Sequence, residues 1–229
     1  MQSTTPFATT ATLEPPMADL SETRMMQALN WTYKQATEGI KGVDSAQVLA
    51  MEYLATDGDL RAQVNRLIRW QNSKAATTGF LTGLGGIIAM PVTIPANIAV
   101  VLFVQVRMIA AIAAMSGQDL KDDRVRTLVY ACLVGDAVKE ILRDVGIVVG
   151  KKVGTSLVSK IPGKTLTAIN QRVGFRLLTK FGEKGVINIG KAVPLLGGVI
   201  GGTVDAIATN IIGNAARDTF IPPAARGDA

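Results

Sequence analysis

A chain of 229 residues with 48% hydrophobic side chains, 5% aromatics, 23 glycines and a formal net charge of +6 can bury one substantial core but not two generous ones. It has no histidine and one cysteine, which excludes imidazole acid–base chemistry, Ser-His-Asp triads, histidine metal sites and an internal disulfide. The excess of small residues lets helices approach closely, as in membranes or very tight bundles, so the composition leans toward a membrane-associated helical protein.

Residues 1–18 are mostly Thr, Ala and Pro with one charge, Glu14, too little apolar surface to offset ordering entropy, and read as a disordered tail. They carry neither a basic n-region nor a continuous apolar stretch, so no secretory signal is read and the expected address is the cytoplasm. A single domain is expected over 19–221, with 222–229 as a disordered C-terminal tail. Helical periodicity starts at Asp19 or Ser21, with Met25, Met26, Leu29, Trp31, Tyr33 and Ala36 available for an apolar face and Gly39 as the stop. Asp44 followed by Gln47 resembles a capping box opening a short helix through Ala55, which ends at Asp57-Gly58. Asp59 caps a third helix, on which Leu60, Val64, Leu67 and Ile68 fall at i, i+4, i+7 and i+8.

From Ala75 to Val106 the chain runs 32 residues without a charge. Such a run must leave water, for a protein core or for lipid, since apolar surface gains roughly 25 cal/mol per Å² on burial. Pro91 and Pro95 divide it, because each removes a backbone donor and clashes with the preceding turn. A helical hairpin follows, 59–89 going in and 95–115 returning, closed by Ser116-Gly117. Residues 86–105 are long enough to span a bilayer, but both prolines and Asn97 fall inside that window. A hairpin buried in a helical sandwich, or dipping its tip into headgroups, fits better.

Asp122 or Asp123 opens the next helix, with Val125, Leu128, Val129, Cys132, Leu133, Val138, Ile141 and Leu142 on one broad face. Cys132 lies in the apolar string LVYACLV and reads as a packed thiol in a reducing compartment. Gly146, Gly150 and Gly154 then recur every four residues, and VGIVVG could pass for a short buried strand. A basic helix follows Pro162, and a Gly-rich helix over 194–220 closes the chain. Without strand alternation and hairpin turns the fold class is all-α: a compact multi-helix bundle with two Gly/Pro-rich apolar helical hairpins.

Three features bear on function. Gly79 with Gly83, Gly197 with Gly201, and Gly198 with Gly202 form G-x-x-x-G pairs, read first as tight helix packing, with a transmembrane dimer face or a glycine zipper as alternatives. Charge is the second feature. Residues 141–229 hold 12 Lys/Arg against 5 Asp/Glu, and from Arg143 to Lys191 ten bases face only Asp144 and Glu183. Arg172, Arg176, Lys180 and Lys184 stand four apart, drifting about 40° each, beside an apolar arc of Val173, Leu177, Phe181 and Leu178. Lys151, Lys152, Lys160 and Lys164 extend the field upstream. Cations beside apolar residues suit the surface of an anionic membrane, whereas the scarcity of aromatics disfavours nucleic acid; an ordinary solvated face is the plain alternative. Third, Arg107 is a lone base ending the uncharged run and Asp205 a lone acid in an apolar stretch. They either lie at polar edges or, if buried, need partners and could be each other's.

These residues resemble the EcsC family. The similarity lies in TGFLTGLGG at 78–86, Pro91 and Pro95, and RMIAAIAAMSG at 107–117 followed by Asp119. It returns in KAVPLLGGVIGG at 191–202, then Ala215-Ala216 and Phe220. Two departures stand out: Asp205 where the family pattern has Asn, and Ser116 where an aromatic is common. The resemblance implies a bacterial helical protein at or near the cytoplasmic membrane. The family takes its name from a protein encoded beside an ABC transporter, and it brings no catalytic residues. The expectation is thus a non-enzymatic peripheral membrane protein, without cofactor or metal, that docks by its basic face to anionic lipid or to a transporter subunit. The alternative is a membrane-inserting or pore-forming protein with residues 79–115 and 194–220 as spans. Oligomer formation is open.

Overall fold

In the computed structural model of the chain, residues 21–75, 96–147, 158–159, 161–181 and 199–221 are described. Among them are eight α-helices: α1 (Glu22–Glu38), α2 (Ala46–Leu54), α3 (Leu60–Ala75), α4 (Ala96–Met115), α5 (Asp123–Cys132), α6 (Val138–Asp144), α7 (Gly163–Phe181) and α8 (Val199–Phe220). No strand occurs among the described residues; an isolated bridge between Ile40 and Val43 closes the α1–α2 corner. The all-α expectation therefore holds, as a compact bundle. The N-terminal tail, the C-terminal tail and the Gly/Pro-rich stretch around Gly79, Gly83, Pro91 and Pro95 lie outside the described residues, as does the second half of VGIVVG.

Side-chain caps explain four of the eight helix starts. Ser21 Oγ accepts from Arg24 N at 3.3 Å, Asp59 Oδ1 from Ala62 N at 2.7 Å and Asp122 Oδ1 from Arg124 N at 2.7 Å, each satisfying an amide that the first turn leaves without an intrahelical partner. At α2 the capping-box reading is corrected by one residue. Ser45, not Asp44, is the N-cap and accepts from Val48 N. The Asp44 carbonyl is taken instead by Arg107, whose Nε donates to it at 2.6 Å.

α4 is the axis of the bundle, in contact with α1, α2, α3, α5 and α8. Its residues Leu102, Phe103, Val106, Met108, Ile109 and Ile112 are all fully or almost fully buried, each worth roughly 1.5–3 kcal/mol of transfer free energy. A helix satisfies its own backbone, and Arg107 is the only charged residue of α4, so it is the element least penalised at the centre of a core. Ile98–Met115 is the one helix window among the described residues that is long and apolar enough to cross a membrane, and 89% of it is buried inside the bundle.

The predicted helix from Asp122 to Leu142 is broken in two. After Cys132 the chain tightens, passes through a 3-10 turn at Gly135–Ala137 and restarts as α6. Gly135 sits at φ +62, and a Cβ there would lie 2.8 Å from Ile211 Cγ2 of α8. Left-handed backbone and close approach both require glycine, and the helix stops where α8 crosses it.

α1 and α5 are joined by aromatic and polar contacts. The Tyr33 and Tyr130 rings meet edge to face at 5.7 Å, Tyr33 Oη donates to the Leu120 carbonyl at 2.7 Å and Tyr130 Oη to Asn30 Oδ1 at 2.9 Å. α3 and α8 are clasped by Asp218 Oδ1, which accepts from Arg61 Nη2 at 2.9 Å and Arg217 Nε at 3.0 Å, while Arg217 Nη1 donates to Asn65 Oδ1 at 2.7 Å. α7 lies outside this core, packed on α1, α5 and α6.

Candidate functional site

α7 carries the central part of the basic stretch, and its start is fixed locally. Thr165 N and Oγ1 both donate to the Pro162 carbonyl, at 2.9 and 2.7 Å, so the proline occupies the place where no amide donor is required. The apolar arc turns inward: Ile169, Val173 and Leu177 are buried. Gly174 belongs to the same arc, where a Cβ would meet Glu22 Cγ at 3.0 Å and Met26 Sδ at 3.4 Å. A residue that costs α7 about 1 kcal/mol of helix propensity is thus the point where α1 closes onto it. The apolar side expected beside the cations is in large part committed to the core rather than presented outward.

The opposite arc is polar and exposed. It holds Lys164, Arg172, Phe175 and Thr179, with Arg176 half-buried at its edge, while the exposed Lys180 stands about 20° from Val173 in the last turn of the helix. Arg176 Nη2 lies 2.9 Å from Glu140 Oε2, and Arg172 Nε 4.0 Å from Asp144 Oδ2. Both pairs join α7 to α6 in antiparallel register, with residues four apart on each helix. The acidic partners missing from the basic stretch in sequence are in part supplied in space by α6. Each pair is close to half-exposed on both sides, so each is worth roughly 0–1 kcal/mol and is weakened by salt.

Phe175, between the two arginines in sequence, is 61% exposed. At about 100° per residue it stands about 60° from Arg172, a position that helical geometry alone makes legible. Of the other basic candidates, Lys164 and Lys180 lie on α7, while Lys151, Lys152, Lys160 and Lys184 are outside the described residues. So are Gly79, Gly83, Gly197 and Gly198; Gly201, Gly202 and Asp205 fall in the part of α8 whose side chains are not described. Besides Gly174, helices close at Gly213, where a Cβ would lie 2.9 Å from both Cγ atoms of Ile68 on α3.

Arg107 is 9% exposed. Burial lowers its pKa, against the opposing charges of Asp44 and Glu52, and its donation to the Asp44 carbonyl pins the α1–α2 corner to α4. That is an architectural role; the expected pairing with Asp205 falls on a side chain outside the described residues. Cys132 is buried, and burial pushes its thiol up to about 12, opposite to the shift a nucleophilic cysteine needs. Among the described residues no group of three or more Cys, Asp or Glu is placed to hold a metal ion.

The model of the EcsC protein family matches residues 23–221, nearly the whole helical part of the chain. Comparison with curated proteins and with solved structures finds no significant match.

Proposed function

The chain belongs to the EcsC protein family, and from that premise we propose that it is a non-enzymatic bacterial protein that works peripherally at the inner face of the cytoplasmic membrane. It docks there to anionic lipid through the basic side built around α7, next to a membrane partner such as a transporter subunit. The observation that carries this reading is the set of solvent-accessible cations Lys164, Arg172, Arg176 and Lys180 along α7, flanked in sequence by further lysines and opposed by few acids. Cations near an anionic leaflet contribute on the order of 1 kcal/mol each, so four of them account for roughly a thousandfold in affinity.

The test is sedimentation of the full chain with vesicles of phosphatidylcholine alone or mixed with phosphatidylglycerol, at low and high salt. Binding to the anionic vesicles only, lost at high salt and lost when all four cations are replaced by Gln in a protein of unchanged circular dichroism, is the expected result. Equal binding by the neutralised variant removes this face from the function. Alkaline carbonate extraction of membranes from expressing cells addresses the alternative. A peripheral protein is released, whereas one inserted by 79–115 and 194–220 stays in the pellet.

A further inference from the structure

α7 has no structural use for Phe175. The helix already buries Ile169, Val173 and Leu177 against its neighbours, yet its aromatic residue at 175 stands in water on the charged arc. An exposed aromatic ring amid cations is the composition of an interfacial anchor, in which the ring enters the boundary between headgroups and acyl chains while the charges stay with the phosphates. The exposed residues of α6 and α7 on this side lean basic, Lys139, Arg143, Lys164, Arg172 and Arg176 against Glu140 and Asp144, with Glu22 of α1 the further acid close to α7, at Gly174. That balance favours an anionic bilayer over a basic partner.

The two acids occupy the very guanidinium groups that flank the ring. Glu140 and Asp144 hold Arg176 and Arg172 through contacts that are close to half solvent-exposed, and such pairs are weak in water. A lipid phosphate offers the same guanidinium a bidentate, charge-assisted partner. We infer that Phe175 is the bilayer anchor of this protein, and that on docking Arg172 and Arg176 exchange their α6 carboxylates for lipid phosphates. Glu140 and Asp144 therefore act as internal competitors that hold down affinity for the membrane. This rests on the anionic-lipid reading above and adds to it the residue that penetrates and the contact that restrains it.

The experiment uses the full chain and vesicles of phosphatidylcholine and phosphatidylglycerol. Phe175→Ala is expected to weaken binding by about 10- to 100-fold, the partition gain of one phenylalanine side chain, and Phe175→Trp to retain it. In a Trp31→Phe, Trp70→Phe background, Phe175→Trp should be quenched by lipids brominated on their acyl chains. Glu140→Gln with Asp144→Asn should tighten binding several-fold. If the wild-type protein ignores anionic vesicles, the proposed function falls and the inference with it. If the wild type binds but Phe175→Ala binds equally and Phe175→Trp is not quenched, the anchor is refuted and the docking reading stands. Unchanged or weaker binding by the Glu140→Gln, Asp144→Asn variant refutes the exchange.

Discussion

Replacing Gly213 by Ala sets two effects of known sign against each other. In the interior of α8 the change adds helix propensity worth about 1 kcal/mol, and at an open position it would stabilise. Here the new methyl would fall 2.9 Å from Ile68 Cγ1, 2.9 Å from Ile68 Cγ2 and 3.2 Å from Ile68 Cδ1. The two nearest atoms are bonded to Cβ of a β-branched residue buried at 2% exposure, with few rotamers to move into, so the backbones of α3 and α8 must separate. Overpacking of that kind costs roughly 1–3 kcal/mol, leaving a net loss of about 1 kcal/mol and a Tm lower by about 2–4 °C for a chain of this size. Equilibrium urea unfolding followed by circular dichroism measures it. Ile68→Ala alone should cost roughly 2–5 kcal/mol through its cavity, but less in the Gly213→Ala background, where the added methyl occupies part of the hole. A coupling of about 1 kcal/mol or more is expected. If Gly213→Ala stabilises and the two changes add independently, the close crossing of α3 and α8 is wrong.

Asp218 is raised by burial but lowered more by the hydrogen bonds and charges of Arg217 and Arg61, so its carboxyl is held below the ordinary carboxylate value. A depressed acid contributes stability above its unfolded pKa and loses it as pH falls through the folded one. Asp218→Asn should therefore cost up to about 1 kcal/mol at neutral pH, this carboxylate being partly exposed, and the gap from wild type in urea titrations should close as the pH drops below about 4; a gap constant with pH refutes the clasp. Arg107→Met leaves the Asp44 carbonyl without its donor, at a cost of about 1–3 kcal/mol. Amide exchange should then quicken more in α2 than in α7, and equal loss of protection in both helices would contradict the role given to Arg107.

Much of the fold is readable from local chemistry, because the signals and the structures they set lie within a few residues of each other. Ser21, Asp59 and Asp122 cap helices, and Gly39 and Gly117, at φ +85 and +80, end them. What could not be read has causes distant in sequence. Asp44 and Ser45 are adjacent cap candidates of similar strength, and the choice is decided by Arg107 on α4. The break at Gly135 is imposed by Ile211 of α8, against a periodicity that favours a continuous helix. The cations of α7 read as unpaired because Asp144 and Glu140 precede Arg172 and Arg176 by 28 and 36 residues. Gly174 and Gly213, where close approaches occur, stand in no G-x-x-x-G pair, since a single crossing needs only one glycine.

The burial of α4 also bears on the alternative in which the chain would insert into a membrane. Moving Ile98–Met115 into lipid costs that helix little, because acyl chains are about as apolar as the side chains it leaves. Its neighbours bear the cost. Met25, Leu29, Leu49, Val64, Leu67 and Leu128, buried on the helices that contact α4, would face water unless they inserted too. At roughly 1.5–3 kcal/mol each these six alone amount to about 9–18 kcal/mol, comparable with the whole stability of a typical domain, about 5–15 kcal/mol. Insertion of α4 is therefore an unfolding of the bundle and not an adjustment of it. The docking proposed for the α7 side would instead break only two half-exposed ion pairs and leave the core intact.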